Sequence, residues 1–115
     1  MAEDCIFCKI VAGEIPAEKV YEDERAVAFQ DIHPSAPHHL LIVPREHIVS
    51  VNEATSANEG TLGHLFTVAA DLAKKLGVDQ SGYRVAVSTG PDAGQLVWHF
   101  HMHFLAGRKL GWPPG

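Results

Sequence analysis

His99-Phe100-His101-Met102-His103-Phe104 sets three imidazoles at two-residue intervals. On a β-strand successive side chains point to opposite faces and positions i and i+2 lie roughly 6.6 Å apart. His99, His101 and His103 are therefore expected on one face, with Trp98, Phe100, Met102 and Phe104 on the other. A helix can cover the apolar face. The imidazole face needs hydrogen-bond partners, so water, a metal or an anionic ligand must lie over it. Two chemistries use such a set. One is a catalytic metal held by the three histidines with a position open to water. The other is nucleophilic catalysis, in which a neutral imidazole attacks phosphorus while a neighbour supports the developing charge.

A second group of reactive residues is Cys5-x-x-Cys8. At the start of a helix the pair can place two thiolates on one metal, and zinc takes four such ligands in a tetrahedron. A redox dithiol is the rival reading, although the usual setting, directly after a strand in a βαβ unit, is missing. Two unrelated buried thiols are the third.

The elements that must position these residues follow from periodicity. Residues 5–12 form a short helix in this reading, ended by Gly13 and the Ile15-Pro16 step. Lys19–Glu22 and Ala26–Asp31 read as a hairpin, and His38–Pro44 as a strand buried on both faces. Ser56-x-x-Glu59 has the form of a capping box, after which Leu62, Leu65, Phe66, Ala69, Leu72, Ala73 and Leu76 recur at helical spacing until Gly77. Tyr83–Ser88 reads as a strand, Gly90–Gly94 as a loop, and Leu96–Leu105 as the final strand. About five strands with one long and one short helix, and no repeated strand-helix alternation, imply an α+β domain on an antiparallel sheet.

A chain of 115 residues supports one core, so residues 1–115 are taken as a single domain. The net charge of −5 provides no positive field for a phosphodiester backbone and argues against duplex nucleic acid as a partner, while leaving room for a local phosphate pocket. The start of the chain carries acids where a secretory leader needs bases, and no run reaches membrane-spanning length. The expected setting is the cytoplasm, where two thiols three apart more often mean metal or redox chemistry than a disulfide.

The run His99-Phe100-His101-Met102-His103-Phe104-Leu105 resembles the His-φ-His-φ-His-φ-φ motif of the histidine triad nucleotide-binding proteins. The likeness extends, in order, through Ile6-Phe7-x-Lys9-Ile10, Glu14-Ile15-Pro16-Ala17, Ala28-Phe29-x-Asp31-Ile32-x-Pro34, His39–Pro44, Gly94-Gln95 and Trp112-Pro113-Pro114-Gly115. It implies an α+β fold whose homodimer joins two five-stranded sheets, and hydrolysis of a purine nucleoside 5′-phosphate derivative. Carried over by position, His101 is the nucleophile at the α-phosphorus, and His103 and the backbone amides around Gln95, Leu96 and Val97, after Gly94, bind the phosphate. Asp31 accepts from the ribose hydroxyls, and Phe7, Phe29, Ile32 and Leu41 form the base slot.

Two positions depart from the pattern. In the phosphoramidate-hydrolysing branch a Ser follows the Gln, where this chain has Leu96. Ser88 stands where that branch commonly has Asn, shortening a sugar or phosphate contact. Some members also bind structural zinc through the Cys-x-x-Cys, the His after the Ile-Val-Pro segment and the first triad His, positions that are Cys5, Cys8, His47 and His99 here. The resemblance thus divides the histidine run between a zinc site and a phosphate site. His39 matches a recurrent position near the nucleotide and is given no chemistry. His33, His38 and His64 are read as solvated. A nucleotide-sensing module with slow, incidental hydrolysis remains the alternative to an enzyme.

Overall fold

The computed structural model describes residues 4–115. Residues 1–3, part of the acidic start used above against a secretory leader, lie outside them. Helix α1 (Ile6–Val11) is followed by strands β1 (Lys19–Glu22), β2 (Ala26–Gln30) and β3 (His38–Pro44), the long helix α2 (Glu59–Leu76), and strands β4 (Tyr83–Ala86) and β5 (Met102–Ala106). All neighbours in the sheet are antiparallel and the order is β1-β2-β3-β5-β4.

Strict alternation divides the central strands between two cores. Ala26, Ala28, Leu40, Ile42, Met102, Phe104 and Ala106 face α2, packing on Leu65, Val68, Ala69, Leu72 and Ala73. Val27, Phe29, Leu41 and Val43 face the other way, onto Cys5, Phe7 and Ile10. Burial on both faces explains why β3 reads as an unbroken apolar run. Truncating a residue such as Leu65, fully buried, is expected to cost about 2–5 kcal/mol.

Helix α2 departs from the sequence reading at its start. Ser56 does not cap it; the N-cap is Asn58, whose side chain accepts from the Thr55 N–H and donates to the Glu53 carbonyl instead. Phe66 is 56% exposed and Leu76 sits at the solvent, whereas Val68 fills the core. The expected stop at Gly77 is present: it adopts φ 73°, and the Val78 N–H returns to the Ala73 carbonyl.

The final strand is shorter than expected, because β5 begins at Met102 rather than Leu96. Its neighbours explain this. Pairing with β3 ends at Ile42↔Met102 and pairing with β4 at Ala86↔His103, so residues 96–101 have no ladder to join. They are held instead by the Phe100 N–H on the Ile48 carbonyl (2.6 Å) and by the buried Gln95 amide, which donates to the Val49 and Val97 carbonyls. Trp98, expected beside Phe100 in the core, is half exposed. Strand β4 likewise stops at Ala86, leaving Val87 and Ser88 in the following loop.

Candidate functional site

His99, His101 and His103 lie on the α1 side of the sheet, as expected, opposite Phe100, Met102 and Phe104 in the core under α2: Phe7 meets both His99 and His101, and the His101 and His103 rings are 5.1 Å apart. Only His103 lies within β5. His99 is fully buried beside α1, and His101 sits between them. A carbonyl can only accept, so each partner fixes where the ring proton resides. His99 donates from Nε2 to the Pro44 carbonyl (2.8 Å), which leaves its Nδ1 lone pair facing the two cysteines. His101 donates from Nδ1 to the His99 carbonyl (2.8 Å), which leaves Nε2 as a bare lone pair.

His103 obtains its tautomer from His39. The Ser35 N–H donates to His39 Nδ1 (2.9 Å), so the His39 proton is on Nε2 and is donated to His103 Nδ1 (2.9 Å). The His103 proton then lies on Nε2. Asp31 stands 3.4 Å from His39 Nε2 and joins this cluster. Burial keeps the rings neutral. It lowers His39, against the pull of Asp31, and brings His103 to about 4, with the nearby His101 and His39 adding to the shift.

His101 and His103 open onto a cavity of about 400 Å³. Its apolar side is Phe7, Ile10, Ile15, Phe29 and Leu41, with Phe7 edge-on to Phe29 at 5.4 Å. Asp31, His101 and His103 line its polar side, and Ile32, Gly94, Leu96 and Val97 its rim. The cavity thus gathers ten of the sequence-identified residues and omits two. Ser88 does not line it. Gln95 is buried behind it as a bracket for the loop: its Oε1 accepts from the Gly90 N–H, and its own N–H is taken by the Gly90 carbonyl. The amides of Leu96 and Val97 have no acceptor among the described residues. Leu96 is 87% exposed at the mouth.

Beside this cavity, Cys5, Cys8, His47 and His99 bring four ligand atoms together. Nδ1 of His47 lies 3.2 Å from Nδ1 of His99 and 3.2 Å from Sγ of Cys8, and the two sulfurs lie 3.3 and 3.4 Å from His99 Nδ1. Around a tetrahedral zinc, N···N and S···N edges would be about 3.4 and 3.6 Å. The donor set therefore fits a metal ion of that kind. In the bare protein, burial and the neighbouring Cys5 push the Cys8 thiol up, and burial lowers His99 to about 4. A bound cation would reverse the first shift and suits the second, since it requires thiolates and neutral imidazoles.

Sequence reasoning missed two features. His39 was placed near the nucleotide without a role, although Val27-Phe29-Asp31 and His39-Leu41-Val43 alternate onto the face that carries His103; the apolar run of β3 hid that period. His64, read as solvated, is instead half-buried and donates from Nε2 to Asp23 (2.6 Å), tying α2 to the β1–β2 turn. His33 and His38 lie at the surface or partly covered, as expected of a loop and a strand end.

Comparison with known proteins agrees with this arrangement. Residues 12–110 match the HIT domain. The chain is 47% identical over 111 residues to the purine nucleoside phosphoramidase of Escherichia coli K12, covering 96% of this chain and 93% of that one. It is 47% identical over its full 115 residues to an uncharacterized HIT-like protein of Synechococcus elongatus, all of which is covered. Among solved structures, a HIT family hydrolase from Legionella pneumophila superposes with TM-score 0.95 at 44% identity, over 96% of this chain and 99% of the other. A histidine triad protein from Clostridium difficile does so with TM-score 0.91 at 48% identity, over 94% of each. With a family match over most of its length and two of the triad histidines, His101 and His103, lining one cavity, the chain belongs to the HIT domain family.

Proposed function

We propose that this protein hydrolyses purine nucleoside 5′-phosphoramidates, or related nucleoside phosphoanhydrides, through a nucleotidyl intermediate on His101. The observation that carries the reading is the His101 Nδ1–H···O=C bond to His99, which presents the bare Nε2 to the cavity. His101 Nε2 attacks the α-phosphorus and the bond to the leaving amine breaks; the amine departs with a proton drawn from water. Water then attacks phosphorus, displacing His101 and releasing the nucleoside monophosphate. Division into two displacements, each with imidazole as nucleophile or leaving group, is what covalent catalysis gains.

The His103 Nε2–H and the amides of Leu96 and Val97 are the donors for the phosphate oxygens. Asp31 is the acceptor for the ribose hydroxyls, and Phe7, Phe29, Ile32 and Leu41 enclose the base. The name of the E. coli relative supports the phosphoramidate substrate. Leu96 offers that leaving group an apolar neighbour and no hydrogen bond.

Zinc is the metal we assign to Cys5, Cys8, His47 and His99. Its four-ligand set leaves no position for water, so its role is structural. We further propose a cytoplasmic homodimer. The free edge of β4 at the end of the sheet and the exposed Phe66 and Tyr83 support it, and sedimentation at micromolar concentration tests it.

Incubation with adenosine 5′-phosphoramidate tests the activity. Release of AMP by the wild-type protein, its loss in His101→Gly, and AMP binding retained in that variant are expected. An active His101→Gly protein removes the nucleophile, and tight binding without turnover by the wild type makes the protein a nucleotide-binding module instead.

A further inference from the structure

We propose that the metal cluster is a positioning device for His101: ligation at Cys5, Cys8, His47 and His99 holds the nucleophile in its Nδ1–H tautomer and sets the wall against which it packs. This deepens the function proposed above and rests on His101 being the nucleophile.

Two independent connections run from the cluster to that ring. The first passes through His99. Its carbonyl is the acceptor that fixes the His101 proton, yet it belongs to residues 96–101, which no strand pairs. In a ladder the sheet itself would orient such a carbonyl. Here much of that task falls to the His99 side chain, whose ring is anchored at Nε2 by Pro44 and at Nδ1 by whatever joins it to the sulfurs and His47. Without an ion the second anchor is a set of weak thiol contacts at 3.3 and 3.4 Å. With one it is a coordinate bond.

The second connection passes through Phe7, which lies between the two cysteines in Cys5-Ile6-Phe7-Cys8. Its ring meets His101 edge-on at 5.2 Å and 89°, meets His99 at 6.1 Å, and reaches Phe29 on the apolar side of the cavity. Helix α1 carries it, and six residues are too few for a helix to stand by its own hydrogen bonds. Ligation of Cys5 and Cys8 would fix the turn from which Phe7 projects. The same ion therefore bears on the proton of His101 from one side and on its packing from the other.

The test compares zinc-loaded wild-type protein with the same protein stripped by a chelator under reducing conditions, and with His47→Ala, which removes one ligand and leaves His99, Phe7 and both cysteines in place. Imidazole nitrogen NMR reads the His101 tautomer directly. We expect a single Nδ1–H form in the loaded protein and a mixture with Nε2–H in the metal-free forms. The accompanying fall in kcat for adenosine 5′-phosphoramidate should be about 10- to 100-fold and exceed any rise in KM. His47→Cys, which restores a fourth ligand of another type, should recover both on addition of zinc.

His64→Phe serves as the control for simple loss of stability: it loosens α2 on the other face of the sheet, and should lower Tm while leaving the His101 signal and kcat unchanged. A folded, metal-free His47→Ala protein with one Nδ1–H tautomer and kcat within twofold of wild type overturns the proposal. So does a wild-type protein that takes up no zinc on reconstitution, or the same losses in His64→Phe. If the loaded protein hydrolyses no phosphoramidate the enzyme reading fails, whereas the NMR comparison still decides the positioning role.

Discussion

His39→Phe isolates the hydrogen bond that orients His103. The substitution keeps an aromatic ring in a site only 5% exposed, and removes both the acceptor for the Ser35 N–H and the donor to His103 Nδ1. Ser35 is exposed and water replaces its partner at little cost. His103 Nδ1 has no such recourse. Left as an orphan acceptor it would cost about 1–3 kcal/mol; the ring escapes that cost by moving its proton from Nε2 to Nδ1. His103 then presents a lone pair, not a donor, to the phosphate. A hydrogen bond to a charged group is worth about 1.5–3 kcal/mol, and about 1.36 kcal/mol is a decade in rate. The expected loss in kcat/KM for adenosine 5′-phosphoramidate is therefore about 10- to 150-fold, measured by AMP release under pseudo-first-order conditions at pH 7. Nitrogen NMR should show the His103 proton moved to Nδ1. A variant within twofold of wild type, with the Nε2–H signal retained, would refute this account of how His103 is held.

Acid should destabilise the metal-free fold before the carboxylates titrate. His103 is depressed to about 4 from 6.5 by burial, and His39 is lowered for the same reason, so both are neutral when folded and protonated when unfolded. The His103 contribution is complete above the unfolded value and is lost as pH falls from about 6.5 towards about 4, of order 1–2 kcal/mol once its partial exposure is discounted; His39 acts in the same direction. Calorimetric Tm values flat from pH 7 to 4.5 contradict it. Asp23→Asn should destabilise by about 2–3 kcal/mol. The Asp23 carboxylate accepts from the Tyr21 hydroxyl, the His64 ring and the Arg25 and Ala26 amides, which hold it well below the usual carboxylate range although burial opposes this; an unchanged urea midpoint would refute the estimate.

What could be read from the sequence was local. The β1–β2 hairpin, the buried run of β3, the body of α2 and its stop at Gly77 each follow from periodicity or from one residue's conformational freedom within a few positions. The features that escaped depend on what lies alongside. Ser56 and Glu59 have the right spacing for a cap, but the chain through Glu53 and Thr55 draws Asn58 into that place. His64 looks solvated until the β1–β2 turn brings Asp23 beneath it.

The histidine run is the instructive case, because its pattern is that of a strand and only half of it is one. His99, His101 and His103 keep the alternation of a strand and lie on one side of the sheet, yet they meet different partners. Pairing fails before Met102 because β3 ends at Pro44, which has no N–H to offer, and β4 has already turned away. Outside the ladder His99 meets the cysteines and offers its carbonyl to His101, while His103 stays in register opposite Leu41. Three identical side chains thus do different work through their partners: one can bind a metal, one is left with a bare nitrogen, and one with a donor. Sequence spacing identified all three residues. Their division of labour follows from the family resemblance, and the fold supplies its cause in the partner held at each ring nitrogen.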